Sequence, residues 1–212
     1  MRLVETIVFA STNRYKWDEY SELLKPITSA KLKMADEFLR NADKLSFVET
    51  HNTYVDNAVA KARLANHGSH YPSLGDDTGL EVEALSGRPG VRSRRYAIPK
   101  AGQSQDQANI EKLLNELKGR PFEARKAKFV TSLALLIEGL LVTSTGILEG
   151  RISEAPMGDG GFGYDSLFVP EGKTMTLAQL SLRDKNELSH RGRALRALMT
   201  EVQSKGIILA KP

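Results

Sequence analysis

The chain contains no cysteine and only one tryptophan. Without thiols it can form no disulfide scaffold, no thiolate metal site and no cysteine nucleophile, which fits a reducing compartment and makes the cytoplasm the expected location. Long apolar runs are also missing. The most hydrophobic window, Leu133 to Val142, is broken by Glu138 and Gly139 and falls well short of the roughly 20 residues a membrane span requires. The opening MRLVETIVFAS sets Arg2 and Glu5 around a short apolar stretch and lacks the length and small-residue cleavage site of a secretory signal. A soluble protein without a membrane partner is therefore expected. The chain has no internal repeat, no low-complexity tract and no long linker, so residues 1–212 are expected to form a single domain.

What is present is a globular composition, 41% hydrophobic and 26% charged over 212 residues, enough for one substantial core or two lobes sharing a cleft. Thirty basic residues against 26 acidic give a net charge of +4, spread along the chain and pointing only weakly to an anionic partner. The one local cluster is Arg92, Arg94 and Arg95 in GVRSRRYA. It suits a solvated loop, a nucleic-acid patch or a phosphate contact, and charge alone favours the solvated loop.

The order of elements is legible from periodicity. IVFAS at 7–11 reads as a short buried strand, followed by a helix on which Trp17, Tyr20, Leu23 and Leu24 share a face until Pro26. A second helix spans 52–67, with Thr53 and Asp56 as a capping pair and Gly68 as its stop. LEVEAL at 80–85 alternates like a half-buried strand. Ser104 and Gln107 form a capping box ahead of Ile110, Leu113, Leu114 and Leu117, and Gly119 and Pro121 close that helix. From Phe129 to Ile152, β-branched and leucine residues punctuated by Gly139, Gly146 and Gly150 predict two or three antiparallel strands. The strand SLFVP and a helix from about Ser189 to Gln203 complete the chain. Helix-crossed strands mixed with hairpins favour an α/β fold with a mixed sheet flanked by helices.

Four segments could carry chemistry. In ASTNRYK, Ser11, Thr12, Asn13 and Lys16 lie where a strand gives way to a helix, so the loop is either a simple cap or an anion site at the positive helix end. It is not a G-x-x-x-x-G-K-[ST] phosphate loop. In SLGDDTGLEV, neighbouring Asp76 and Asp77 repel one another and disfavour a strand, and a divalent cation would offset that cost. Mg²⁺ suits two carboxylates plus substrate phosphates, with Glu49 a candidate second ligand, whereas an Asp-rich turn is the plainer alternative. Lys61 points from the packed face of its helix, as a snorkelling lysine also would. In GDGGFGYDSLF, four glycines leave room for a ligand against the backbone, with Phe162 or Tyr164 for stacking and Asp165 as an acceptor, although a glycine-rich turn would look similar. In NELSHRGRAL, Ser189 can cap a helix whose first residues, His190 and Arg191, could donate to an anion or a carbonyl oxygen.

Taken in order, STNRYK, ETHNTYVDNAVAKAR, GDDTGLEVEALSGRPGVRSRRYA, GDGGFGYDSLF and LSHRGRAL resemble the Ham1 family of inosine/xanthosine triphosphate pyrophosphatases, from about Val8 to Leu198. The resemblance implies a mixed α/β fold with two lobes around a nucleotide-binding cleft, a homodimer, and Mg²⁺-dependent hydrolysis of ITP, dITP or XTP to the monophosphate and pyrophosphate. By motif position, Asp77 is similar to the catalytic acid, with Glu49 a metal ligand and Asp76 beside them. Lys16 and Lys61 match phosphate-contacting lysines, and Ser11, Thr12, Asn13, Arg14, Tyr15 and Lys16 match the triphosphate loop. Thr78 follows the catalytic acid. Phe162, Gly163, Tyr164 and Asp165 match the FGYD segment, with Phe162 placed to stack on the base, and Lys185, His190 and Arg191 match residues around the base and its 6-keto group. The chain departs from the family pattern at Thr12 and His51, where glycine is usual, and has Asp56 for Glu, Thr78 for Ser and Ser166 for Pro.

Donor chemistry accounts for the implied selectivity. Hypoxanthine and xanthine carry a keto oxygen at position 6 where adenine has an amino group, so an Arg and a donating His would accept the first and be left unpaired against the second. Two other readings compete. A Maf-like pyrophosphatase acting on modified nucleotides is opposed by the SHRG segment, and a nucleic-acid-binding protein would use the arginine cluster with Tyr96 as a stacking platform. A small-molecule nucleotide, not a nucleic acid, is the expected partner.

Overall fold

A computed structural model describes residues 3–40, 42, 45, 48–207, 209 and 210. Strand β1 (Thr6–Phe9) is the expected apolar run, and its period-two alternation sends side chains to opposite faces. Ile7 and Phe9 enter one core with Tyr20 and Leu24 of helix α1 (Arg14–Leu24) and with Ala194, Leu195, Leu198, Met199 and Val202 of a C-terminal helix, His190–Ser204. Those five positions recur at helical spacing, and burial of each large apolar side chain contributes about 1.5–3 kcal/mol. Val8 points the other way, to Ala10, Ala35 and Ala65, the last on helix α2 (Tyr54–Ser69). Helices thus cover both faces of β1.

Pairing around β1 is parallel. Strand β2 (Lys31–Met34) aligns Lys31 with Thr6 and Met34 with Phe9, while β3 (Ser73–Val82) sets Ser73 opposite Val8 and Leu74 opposite Phe9. The short β4 (Pro89–Gly90) runs antiparallel to the far end of β3. Strands β5 (Lys126–Ile137) and β6 (Leu140–Ile152) are joined by Glu138 and Gly139, whose φ values of 48° and 81° give the two-residue turn that suits a twisted hairpin. Strand β7 (Phe168–Pro170) is antiparallel to β6. The sheet order is β2-β1-β3-β5-β6-β7 with β4 on β3, so the sheet is mixed and flanked by helices, as expected.

Two compact units share the chain. The first comprises Met1–Asp77, Thr131–Gly146 and Arg191–Pro212, the second Thr78–Val130 and Ile147–His190. The second has its own core of Leu80, Val82, Phe129, Leu148, Ile152 and Phe168 packed with Leu113 of helix α3 (Gln105–Glu116) and with Leu117. There the buried Arg125 donates to the carbonyls of Arg120, Leu117 and Ser153 at 2.9, 3.2 and 3.0 Å, fastening the end of α3 to the edge of the hairpin. Helix α4 (Leu182–Leu188) lies in this unit, and α5 is the C-terminal helix, His190–Ser204, described above. Among the described residues, no helix is long and apolar enough to cross a membrane.

Several local expectations need correction. The strand expected at 80–85 begins at Ser73, contains Asp76 and Asp77, and gives way to a 3₁₀ turn over Glu83–Leu85. Helix α2 runs through Gly68 and ends at His70, whose φ of 60° supplies the left-handed cap. Gly146 and Gly150 lie inside β6, not between strands. A Cβ on Gly150 would come 2.7 Å from the Phe168 ring, so that glycine admits the aromatic side chain of β7. Strands β2 and β4 and helix α4 are additions to the sequence reading.

Candidate active site

In the first unit, the loop after β1 is tied to the helix it precedes. Asn13 caps α1, its side chain accepting from the Lys16 N–H at 3.2 Å, and the Ser11 hydroxyl accepts from the Asn13 N–H at 3.1 Å. The capping alternative therefore holds for Asn13. Thr12 is exposed, Arg14 pairs with Asp36 at 2.7 Å, and Tyr15 is 59% exposed. Lys16 sits one turn before Tyr20, with Glu19 between them on nearly the same face.

The paired aspartates face different partners. Asp76 is wholly buried, with one carboxylate oxygen bonded by the Lys16 ammonium and the other accepting from the Tyr20 hydroxyl at 2.6 Å. Arg191 bonds Glu19 at 2.9 Å and brings its Nε to 4.0 Å from Asp76. Burial alone would raise the Asp76 carboxyl, but Lys16, Arg191 and Lys61 outweigh it and hold the group well below its usual range. Lys16 is nonetheless lowered, because burial of its ammonium exceeds the attraction of Asp76. Burial beside Asp76 pushes Tyr20 well up, so its hydroxyl stays a donor.

Asp77 accepts from Asn57 at 3.0 Å and from Lys61 at 3.3 Å, while Glu49 accepts from the same Lys61 ammonium at 2.8 Å. Lys61 is 4% exposed, so it is no snorkelling surface lysine. Burial would lower it, yet Asp77 and Glu49 together raise it. Burial raises Asp77, partly offset by Lys61 and Lys16. Asn57 also brackets the backbone of His51, accepting from its N–H at 3.0 Å and donating to its carbonyl at 3.3 Å, which ties the chain just after Glu49 to α2. The His51 side chain itself is exposed.

This proximity depends on Gly75. A Cβ there would overlap the Ala58 carbonyl oxygen and lie 2.9 Å from the Ala62 nitrogen, so only glycine lets β3 run this close to α2. Two carboxylates converging on one buried cation are hard oxygen donors of the kind Mg²⁺ prefers. Among the described residues, no group of three or more His, Cys, Asp or Glu side chains could hold a metal, so a cation here would draw its remaining ligands from water or phosphate.

In the second unit, Asp165 and Lys185 form a buried ion pair at 2.6 Å. Asp165 also accepts from the Phe162 N–H at 2.9 Å, and the Lys185 ammonium lies 5.3 Å from the centroid of the half-buried Phe162 ring. The Gly163 N–H donates to Asp106 at 3.0 Å, and Tyr164 donates to the Ser93 carbonyl at 2.9 Å. His190 is fully buried and stacks on Phe129, with centroids 4.6 Å apart and planes 15° from parallel. Thr78, partly buried on β3, belongs to this unit.

The glycine-rich segment is shaped by its own chain. A Cβ on Gly158 or Gly160 would come 2.7 or 2.8 Å from the Ala178 carbonyl oxygen, and one on Gly161 would overlap the Asp165 carboxylate. The expectation that these glycines leave space for a ligand is therefore corrected at these three positions, where they permit close backbone packing instead. Arg94 and Arg95 belong to a short 3₁₀ turn, and with Arg92 they are exposed, as in the solvated-loop reading.

The sequence reading missed Glu19, which bonds Arg191, and Asn57, which touches Asp77; it placed Tyr20, which touches Asp76, only in the apolar stripe of α1. Spacing was the available signal. Glu19 and Tyr20 lie three and four residues after Lys16, and Asn57 lies four before Lys61, so each shares a helix face with a chemically loaded lysine. Asp106 and Ser93 in the second unit carried no comparable signal.

Comparison with known proteins places the chain among relatives of one family. The model of the Ham1 family matches residues 7–201. A dITP/XTP pyrophosphatase of Aquifex aeolicus (strain VF5) is 42% identical, covering 91% of this chain and 94% of its own. One of Bacillus subtilis (strain 168) is 39% identical, covering 93% and 97%. Among solved structures, the Staphylococcus aureus Ham1 protein has a TM-score of 0.78 at 33% identity, covering 94% of this chain and 99% of its own.

Proposed function

The chain belongs to the Ham1 family, and from that premise we propose that it is a nucleoside triphosphate pyrophosphatase. It hydrolyses the non-canonical purine nucleotides dITP, ITP and XTP to the monophosphate and pyrophosphate, clearing them from the nucleotide pool. The observation that carries this reading is the shared Lys61 ammonium, on which Glu49 and Asp77 converge in a buried site next to the Lys16–Asp76 pair.

In the proposed mechanism, Glu49 and Asp77 would hold a Mg²⁺ ion, with Asp76 beside them. When bound, that ion supplies electrophilic assistance at the phosphates. Asp77, oriented by Asn57, accepts the proton of the attacking water. Lys16 and Lys61 neutralise the charge that develops on the departing pyrophosphate, and the 11–16 loop presents Ser11, Thr12, Asn13, Arg14 and Tyr15 to the triphosphate. In the second unit, Phe162 stacks on the base and Gly163, Tyr164 and Asp165 shape its seat. Thr78 contacts the substrate, while Lys185, His190 and Arg191 recognise the 6-keto group. On this reading the two compact units work as one pyrophosphatase domain, and the family resemblance supports a cytoplasmic homodimer.

The test is a panel of nucleoside triphosphates incubated with Mg²⁺, Mn²⁺ or chelator, with monophosphate and pyrophosphate measured as products. Turnover of dITP, ITP and XTP well above ATP and GTP, abolished by chelator, is expected. Equal turnover across the panel would refute the selectivity, and release of orthophosphate alone would refute the bond assignment. Sedimentation of the purified protein tests the dimer.

A further inference from the structure

Tyr20 is fully buried on the face of α1 that carries Lys16, one turn away. Its ring packs against Phe9 with centroids 5.2 Å apart, a contact that phenylalanine would make equally well. The hydroxyl has a separate task. It donates to Oδ2 of Asp76 at 2.6 Å, while the Lys16 ammonium bonds Oδ1 of the same carboxylate. Arg191 Nε, at 4.0 Å, is the more distant partner of Oδ2. A carboxylate held at both oxygens cannot turn about its Cβ–Cγ bond without losing one of those bonds. Whatever fixes its plane also fixes the direction from which Lys16 is bound.

We propose that Tyr20 is a positioning residue for the phosphate-binding Lys16, acting through Asp76. One helix supplies both the cation and the hydroxyl that orients the cation's anchor. The side chain of Lys16 has four rotatable carbons, and the loss of their freedom is offset before the nucleotide arrives, so less of the binding free energy is spent on ordering it. The inference rests on the pyrophosphatase reading for the role of Lys16, and not for the Tyr20–Asp76–Lys16 geometry.

The experiment is a double-mutant cycle of Tyr20→Phe and Lys16→Met on the full chain, read in two ways. With dITP and Mg²⁺, Tyr20→Phe is expected to lower kcat/KM about tenfold, the scale of one hydrogen bond to a charged group, while in the Lys16→Met background it lowers it less than about twofold. Calorimetric titration of the metal-free proteins with inorganic tripolyphosphate should show the same coupling in Kd, a few-fold weakening with Lys16 present and none without it. A purely structural role for Tyr20 predicts equal losses in both backgrounds, and that result overturns the proposal, as does an unchanged Tyr20→Phe protein. Thermal unfolding of all four proteins identifies any general loss of fold. A wild type that cleaves no nucleotide removes the pyrophosphatase reading; absence of coupling in tripolyphosphate binding removes the positioning role by itself.

Discussion

Gly75 of β3 lies so close to Ala58 of α2 that no side chain fits between the strand and that helix's carbonyl oxygen. The contact is backbone on backbone, so a substituted chain has to separate the two elements. Gly75→Ala is expected to destabilise the protein by about 1–3 kcal/mol or more, the usual scale of overpacking. It should also reduce turnover, because Asn57 and Lys61 move with α2 away from Asp77. Urea unfolding together with steady-state kinetics checks both, and wild-type values of each would disprove the constraint.

Asp77→Asn removes the proposed base with little change in shape. The expected loss in kcat is about 10²- to 10⁴-fold, the contribution of a positioned acid–base group, with nucleotide still bound. Single-turnover kinetics alongside equilibrium binding separates the two quantities. Retained turnover would reassign the role of base.

Phe162→Ala tests the second unit independently. Stacking on a base is worth about 1–3 kcal/mol, so KM for dITP is expected to rise by about five- to a hundredfold. Binding of inorganic tripolyphosphate, which has no base, should not change. Equal weakening of both ligands would mean that Phe162 supports structure and not base recognition.

Asp76 sets an acid limit on stability. Its folded-state pKa is depressed because Lys16, Arg191 and Lys61 outweigh burial, so its contribution is complete above the unfolded value of about 4 and is lost as pH falls below that. Asp76→Asn should cost about 3–5 kcal/mol at pH 7, as expected for breaking a buried pair, and should flatten the fall in stability as pH drops below about 4. Urea midpoints at several pH values measure the slope. A variant as steep as wild type would assign the acid sensitivity to other carboxylates.

Local signals were readable where the interaction itself is local. Thr53 accepts from the N–H of Asp56, and the Ser104–Gln107 capping box is present, both at three-residue separation. Strand β2 is short and carries the exposed Lys31, and α4 has polar residues at most positions, so neither offered a clear apolar period. The start of β3 was hidden for a different reason. Adjacent aspartates oppose strand formation, and what overrides that preference comes from Lys16 and Lys61, far away in sequence. The glycines at 158, 160 and 161 were misleading because the sequence could not show that Ala178 and Asp165 lie where their side chains would be. Candidate residues for the site could be assembled by family resemblance; their contacts required coordinates.

Arg125 shows another way of stabilising a buried charge. Its guanidinium is met by three peptide carbonyls, neutral groups that neither gain nor lose protons. The join between α3 and the hairpin therefore draws on dipoles where the Asp76 cluster draws on ionised acids. Acidification that discharges carboxylates leaves these three bonds chemically intact, so this join does not share the acid sensitivity expected of the Asp76 cluster.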